Sequence, residues 1–189
     1  MKTSPTHTIA VYCSARDGLA QPFIDAAHKL GRSLAEQKTA IVYGGGGKGL
    51  MGEIARAALA AEGHVIGVIP RSMIEREAAH NGVTEQIIID TMHQRKQIMA
   101  DRCDAYIAMP GGVGTLDEIF EAITWHQLEL HAKPMIFLDI EGYYAPLKQF
   151  LEHSAELGFI PESTMAAIRF ETTIEGVLDA LTDTLTITR

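Results

Sequence analysis

Cysteine is scarce in this chain, with only Cys13 and Cys103 among 189 residues. Two are too few for a disulfide framework, and both sit in apolar runs, so they read as reduced core thiols of a cytoplasmic protein. Long hydrophobic runs are missing too. No stretch approaches the length needed to cross a bilayer, which argues against a membrane partner. Residues 1–7 lack the apolar core of a secretory signal and are expected to form a short frayed tail. Positive charge is limited: 16 Lys and Arg face 24 Asp and Glu, for a formal net charge of −8. Nucleic-acid backbones demand a basic face, so the charge argues against a nucleic-acid partner, while a local basic pocket stays open. The eight histidines show no metal-ligand spacing such as H-E-x-x-H, so no metal site is expected. No G-x-S-x-G, repeat, low-complexity tract or linker occurs.

What is present is an alternation. Apolar runs at 8–14, 40–43, 64–69, 85–90, 105–109 and 133–138 alternate with segments of helical apolar spacing at 23–36, 53–62, 92–102, 119–128 and 143–157. Residues 168–170 read as a short edge strand, and 173–185 as a closing helix capped by Thr172 or Thr173. Region 71–82 is polar and ambiguous. At 47% apolar and 21% charged, the chain suits one soluble domain, 1–189. Apolar strands alternating with helices predict a doubly wound, Rossmann-like parallel α/β sheet covered on both faces. Ligands in such sheets sit at the carboxyl ends of the strands, where both glycine turns of this chain fall.

The second of those turns organises the rest. Pro110-Gly-Gly-Val-Gly-Thr-Leu-Asp-Glu118 follows the strand 105–109 and opens a helix. Glycines leave backbone N–H groups uncovered, and a helix start adds the positive end of its dipole, so the turn suits an anion such as phosphate. Thr115 adds a hydroxyl donor. Glu118 then places a carboxylate beside an anion site, where charge alone makes it unwelcome. One bland reason is the capping box, which Thr115-x-x-Glu118 also fits. The functional reason is chemistry on a bound phosphate compound.

The first turn, Gly44-Gly-Gly-Gly-Lys-Gly-Leu-Met-Gly52, satisfies the dinucleotide pattern twice. The acidic residue expected after the next strand is missing, because Val65 to Ile69 runs into Pro70-Arg71. Lys48 precedes Gly49 rather than Ser or Thr, so it is not a P-loop. No cofactor is expected. The turn reads as a close approach of helix and sheet, with Gly45 and Gly46 as one wall of a pocket. On the helix 92–102, Arg95 shares a face with Met92 and Met99. A buried arginine must meet a carboxylate or an anionic ligand. Lys96 lies on the neighbouring face and is solvated by default. His93 reads as a surface residue, and Trp125 as core or interface.

Met92-His-Gln-Arg95-Lys96 followed by Pro110-Gly-Gly-Val-Gly-Thr-Leu-Asp-Glu118 resembles the signature of the LONELY GUY (LOG) family of cytokinin-activating phosphoribohydrolases. The likeness extends over residues 43–52, 64–70 and 123–128. Cys13-Ser14-Ala15 departs from the family's usual Cys-Gly-Ser. Members are often labelled lysine decarboxylases, but no pyridoxal-phosphate signature is visible. The resemblance implies hydrolysis of the N-glycosidic bond of a nucleoside 5′-monophosphate, such as a cytokinin ribotide or AMP. It implies Arg95 and Glu118 as catalytic residues. The substrate would be bound by Gly111, Gly112, Val113, Gly114, Thr115, Leu116 and Asp117, with Glu77, Lys96 and Thr124. It also implies a homodimer with the helix after the motif near the interface. A nucleotide-binding module without turnover and a deoxyribosyltransferase-like enzyme remain alternatives.

Overall fold

The computed structural model describes residues 5–187. Seven parallel strands form one sheet in the order β4-β3-β2-β1-β5-β6-β7. They are β1 (His7–Tyr12), β2 (Thr39–Tyr43), β3 (Val65–Pro70), β4 (Glu85–Ile89), β5 (Ala105–Ala108), β6 (Met135–Leu138) and β7 (Ile168–Glu171). The chain winds outward from β1 to β4, returns to pair β5 with β1, and winds outward again on the other side. The order therefore reverses between β1 and β5. Ligand-binding crevices open at such a reversal, outside the carboxyl ends of the two strands. The doubly wound sheet foreseen from the alternation is the observed one.

Packing explains why the inner strands are apolar throughout. Ile9, Val11, Ile41, Tyr43, Ile107 and Ile136 point to one core, under helices α1 (Gln21–Glu36), α2 (Gly49–Ala60) and α7 (Ile174–Ile187). Ala10, Tyr12, Val42, Tyr106, Ala108 and Phe137 point to the other, under α3 (Met92–Arg102) and α4 (Val113–Gln127). Alternate residues of each inner strand thus face two dry cores, and His7, Thr8 and Thr39 sit only at the strand starts. β4 is an edge and alternates instead, with Glu85 and Gln86 on a strand only half buried. Cys13 and Cys103 are free buried thiols on opposite faces. Burial pushes Cys103 up to about 11 and Cys13 further still, so neither is a nucleophile at neutral pH.

The boundaries differ from expectation in several places. Thr6 donates its N–H to the Lys38 carbonyl and His7 already belongs to β1, so residues 6 and 7 are ordered against the sheet and not frayed as expected; the rest of that expectation falls on residues 1–4, which lie outside the described residues. α2 starts at Gly49 instead of residue 53, because Asp17 Oδ1 accepts the Gly49 N–H at 2.9 Å and supplies a cap from another loop. Residues 140–142 form a 3-10 turn before α5 (Ala145–Glu156), and a short α6 (Glu162–Ala166) precedes β7. Thr173 caps α7, its hydroxyl accepting from Gly176 N at 3.0 Å. Among the described residues, no helix is long and apolar enough to cross a membrane.

Candidate active site

The turn after β5 is held by its carbonyl oxygens. Tyr144 Oη donates to the Met109 carbonyl at 2.7 Å, Ser14 N–H to the Pro110 carbonyl at 3.3 Å, and Tyr143 Oη to the Gly111 carbonyl at 2.5 Å. α4 then begins at Val113 with Gly112 as an extended N-cap that offers no side-chain oxygen. The first intrahelical bond runs from Leu116 N–H to the Gly112 carbonyl. The N–H groups of 111–115 meet no acceptor among the described residues, which is the usual fate of a helix's first donors unless something caps them. Gly112, Val113 and Gly114 are exposed, so these donors are open to an anion. Thr115 is buried against Gly111, where a Cβ would collide with its hydroxyl.

Glu118 is 7% exposed, one turn further along α4. The capping-box reading of Thr115-x-x-Glu118 is overturned: Thr115 is the third residue of the helix, not its cap. The two preceding glycines let the chain enter the helix early, which carries Thr115 and Glu118 inward. Among the described residues the Glu118 carboxylate has no hydrogen-bond partner. Burial raises its pKa to about 7; the Arg95 charge pulls it down, while Glu77 and Asp117 push it up. A side chain placed only for stability would not sit buried and unbonded.

A capping box does occur, on α3, where Thr91 Oγ1 accepts from Gln94 N–H and Gln94 Oε1 accepts from Thr91 N–H. The helix it starts presents Arg95, only 2% exposed, to the first glycine turn. Arg95 Nη2 donates to the Gly44 carbonyl at 2.6 Å and to Glu77 Oε2 at 3.0 Å, whereas Nε has no partner among the described residues. A Cβ at residue 44 would fall on the guanidinium, so Arg95 keeps this seat only while that residue is glycine. Met99 is buried on the same face, and Met92 remains half exposed.

The ambiguous region 71–82 supplies Glu77 and folds over that turn. Gly47 N–H donates to the carbonyls of Glu77 and Ala78, His80 N–H donates to the Gly45 carbonyl, and Gly46 bridges to Ala79. Gly45 is buried beside Ile69 and Gln86, and Gly46 beside Met51 and Glu77. With its backbone groups engaged in this way, the first turn is no dinucleotide cradle.

Lys96 is not solvated, as its position alone suggests. It bridges α3 to α4, 3.2 Å from Asp117 Oδ2 and 2.7 Å from Glu121 Oε2. Burial opposes its charge, but these two hydrogen-bonded carboxylates outweigh that and raise its pKa. His93 is exposed. Thr124 is exposed as well, bonded to its own helix through the Phe120 carbonyl and roughly 9 Å along the axis from Glu118. Leu116 packs on the second core. Arg95, Glu77, Lys96 and Asp117 all act on the charge of Glu118, whereas Thr124 is turned to the exposed face of α4. Sequence reasoning missed Tyr143, Tyr144 and Glu121. The signal for the tyrosines was two hydroxyl-bearing rings just past β6, the strand beside β5.

A reversal crevice with open helix donors, a buried arginine and a buried free carboxylate defines a Rossmann-like protein built to work on a small anionic ligand. The family described as "possible lysine decarboxylase" matches residues 51–181. A cytokinin riboside 5′-monophosphate phosphoribohydrolase of Rhodococcoides fascians is 45% identical over 175 residues, covering 92% of this chain and 88% of that one. The Arabidopsis thaliana enzyme of that name, LOG3, is 43% identical over 160 residues, covering 85% and 74%. A solved molybdenum cofactor binding protein from Rippkaea orientalis shares the fold, with a TM-score of 0.73 at 23% identity over 98% of this chain and 99% of that one. The chain belongs to the LOG family of phosphoribohydrolases. The decarboxylase label has no support in the site: a Schiff-base lysine needs a depressed pKa, and Lys96 has a raised one.

Proposed function

We propose that this chain is a phosphoribohydrolase, cleaving the N-glycosidic bond of a nucleoside 5′-monophosphate to free base and ribose 5-phosphate. The relatives' names give cytokinin ribotides as the substrate class, and we extend it to AMP, which carries the same 5′-phosphate and ribose. The observation that carries this reading is Glu118, buried without a hydrogen bond one helical turn beyond a set of open backbone donors. The 5′-phosphate binds the N–H groups of 112–115, and the sugar lies over the first turn of α4. Loss of the base builds an oxocarbenium-like cation at the ribose carbon, which ionised Glu118 stabilises. Arg95 and Glu77 fix the opposite wall, and Lys96 with Asp117 and Glu121 holds α3 against α4. The ionised fraction of Glu118 grows as pH rises through about 7, so turnover rises across that range.

The test is incubation with isopentenyladenosine 5′-monophosphate and with AMP, free base being read by chromatography. Base from the wild type, and none from Glu118→Gln, is the expected result. No base from either nucleotide, with binding intact, would sink the hydrolase and leave a binding module. Transfer of the sugar to an added second base would reassign the chain as a transferase.

The working unit is a homodimer across α4. Leu128 and Leu130, at the end of that helix, are 61% and 68% exposed, and an isologous interface there would bury them. The same packing would carry Thr124 towards the neighbouring pocket. A fully active monomer in light scattering would refute it. The buried free thiols suit a reducing compartment, the cytoplasm.

A further inference from the structure

The mechanism leaves unused the hydroxyls of Tyr143 and Tyr144, which reach the turn after β5 from the segment that follows the neighbouring strand β6. A peptide unit is planar and trans, so its C=O and the following N–H point in opposite directions. Holding the Pro110 carbonyl on Ser14 N–H turns Gly111 N–H the other way. Holding the Gly111 carbonyl on Tyr143 Oη does the same for Gly112 N–H. Each of these two carbonyls is thus taken up by the protein, and the N–H of the same peptide is left pointing away from that contact. Without the tyrosine, little fixes the 111–112 peptide: Gly112 is exposed, and a Cβ there would meet nothing within 4 Å.

We propose that Tyr143 is a positioning residue of the anion site, its hydroxyl setting the peptide orientation that aims Gly112 N–H at the 5′-phosphate. The proposal rests on the reading of this turn as the seat of that phosphate. Tyr143 is suited to the task. Its ring is 45% exposed, braced by Phe23 at 6.2 Å and Tyr144 at 5.0 Å, so the side chain contributes direction more than core volume. Tyr144 differs. It is 1% exposed, packs on Phe137, and holds the Met109 carbonyl, which precedes a proline and so orients no N–H. One tyrosine directs a donor, and the other anchors the strand end.

Tyr143→Phe removes one oxygen and keeps the ring. In this variant KM for AMP and the inhibition constant of ribose 5-phosphate should each rise on the order of tenfold, the scale of one misdirected hydrogen bond. kcat should change less than KM, and inhibition by free adenine should barely move. Tyr144→Phe should show the reverse pattern, a larger drop in thermal midpoint and a smaller effect on ribose 5-phosphate. Wild-type affinity for ribose 5-phosphate in Tyr143→Phe overturns the proposal, as does an affinity loss that merely follows stability in both variants. Failure of the wild type itself to bind ribose 5-phosphate overturns the phosphate reading as well, and so separates the two failures.

Discussion

The two glycine turns lie at the same edge of the sheet, each between a strand and a helix, yet their backbones do opposite things. In the turn after β2, Gly45 accepts from His80, Gly47 donates to residues 77 and 78, Gly49 donates to Asp17, and the Gly44 carbonyl receives Arg95. In the turn after β5 the carbonyls are engaged and the donors are open. Their glycines differ accordingly. A Cβ at Gly44, Gly47 or Gly52 would strike neighbouring atoms, whereas in the second turn Gly111 is closed in against Thr115 but Gly112 and Gly114 face open space. One turn uses glycine to let the protein close on itself. The other uses it to let a ligand in, so glycine count alone does not reveal a binding site.

Chemistry belongs to the second turn, and the largest expected effect is there. Glu118→Gln should cost at least about 10²–10³ in kcat while the protein stays folded, the scale of losing a main electrostatic contributor. Arg95→Ala should cost a similar factor, and wild-type-like turnover in either would break the assignment. Gly44→Ala and Gly112→Ala sharpen the contrast between the turns. The first pushes the guanidinium off its carbonyl and leaves Glu77 poorly paired, so activity should approach that of Arg95→Ala and the thermal midpoint should fall. The second costs at most about 1 kcal/mol of stability, alanine being a poorer N-cap than glycine, and raises KM for the nucleotide, because only the ligand meets the new methyl. Equal loss of stability in both would erase the distinction.

The buried carboxylate also carries a stability cost with a definite pH dependence. Burial raises the pKa of Glu118 from 4.5 to about 7. Between those values the folded state binds the extra proton, so stability falls as pH rises through the window. Glu118→Gln has nothing to ionise there. Its stability relative to wild type should grow by about 2 to 3 kcal/mol from pH 5 to pH 8, read from urea midpoints at each pH. A flat difference would show that Glu118 titrates as an ordinary surface acid.

Much of this was legible in the chain and some was not, for a physical reason. The inner strands announced themselves because both faces are dry, and the motif 110–118 announced a turn with open donors. What stayed hidden depends on residues distant in sequence. Asp17 starts α2 four residues early, and Glu121 and Asp117 neutralise a lysine that local spacing leaves in solvent. Glu77 lies in a stretch with no periodicity at all, because residues 71–82 answer to the backbone of the first turn and not to a helix or strand pattern. Thr115-x-x-Glu118 imitates a cap, and only the position of Gly112 at the helix start shows that it is not one.

The smallest effect tests whether the first turn is purely structural. Asp17 accepts the Gly49 N–H from outside the helix, and it belongs to the loop after β1, near the crevice. Asp17→Ala should lower stability by about 1 kcal/mol, the usual value of a lost helix cap, measured by denaturant unfolding. Activity should stay near wild type, since Arg95 is held by the Gly44 carbonyl and Glu77 rather than by the helix start. A loss of turnover far beyond the loss of stability would mean that the start of α2 also reaches the substrate. The first turn would then have to be counted as part of the binding surface.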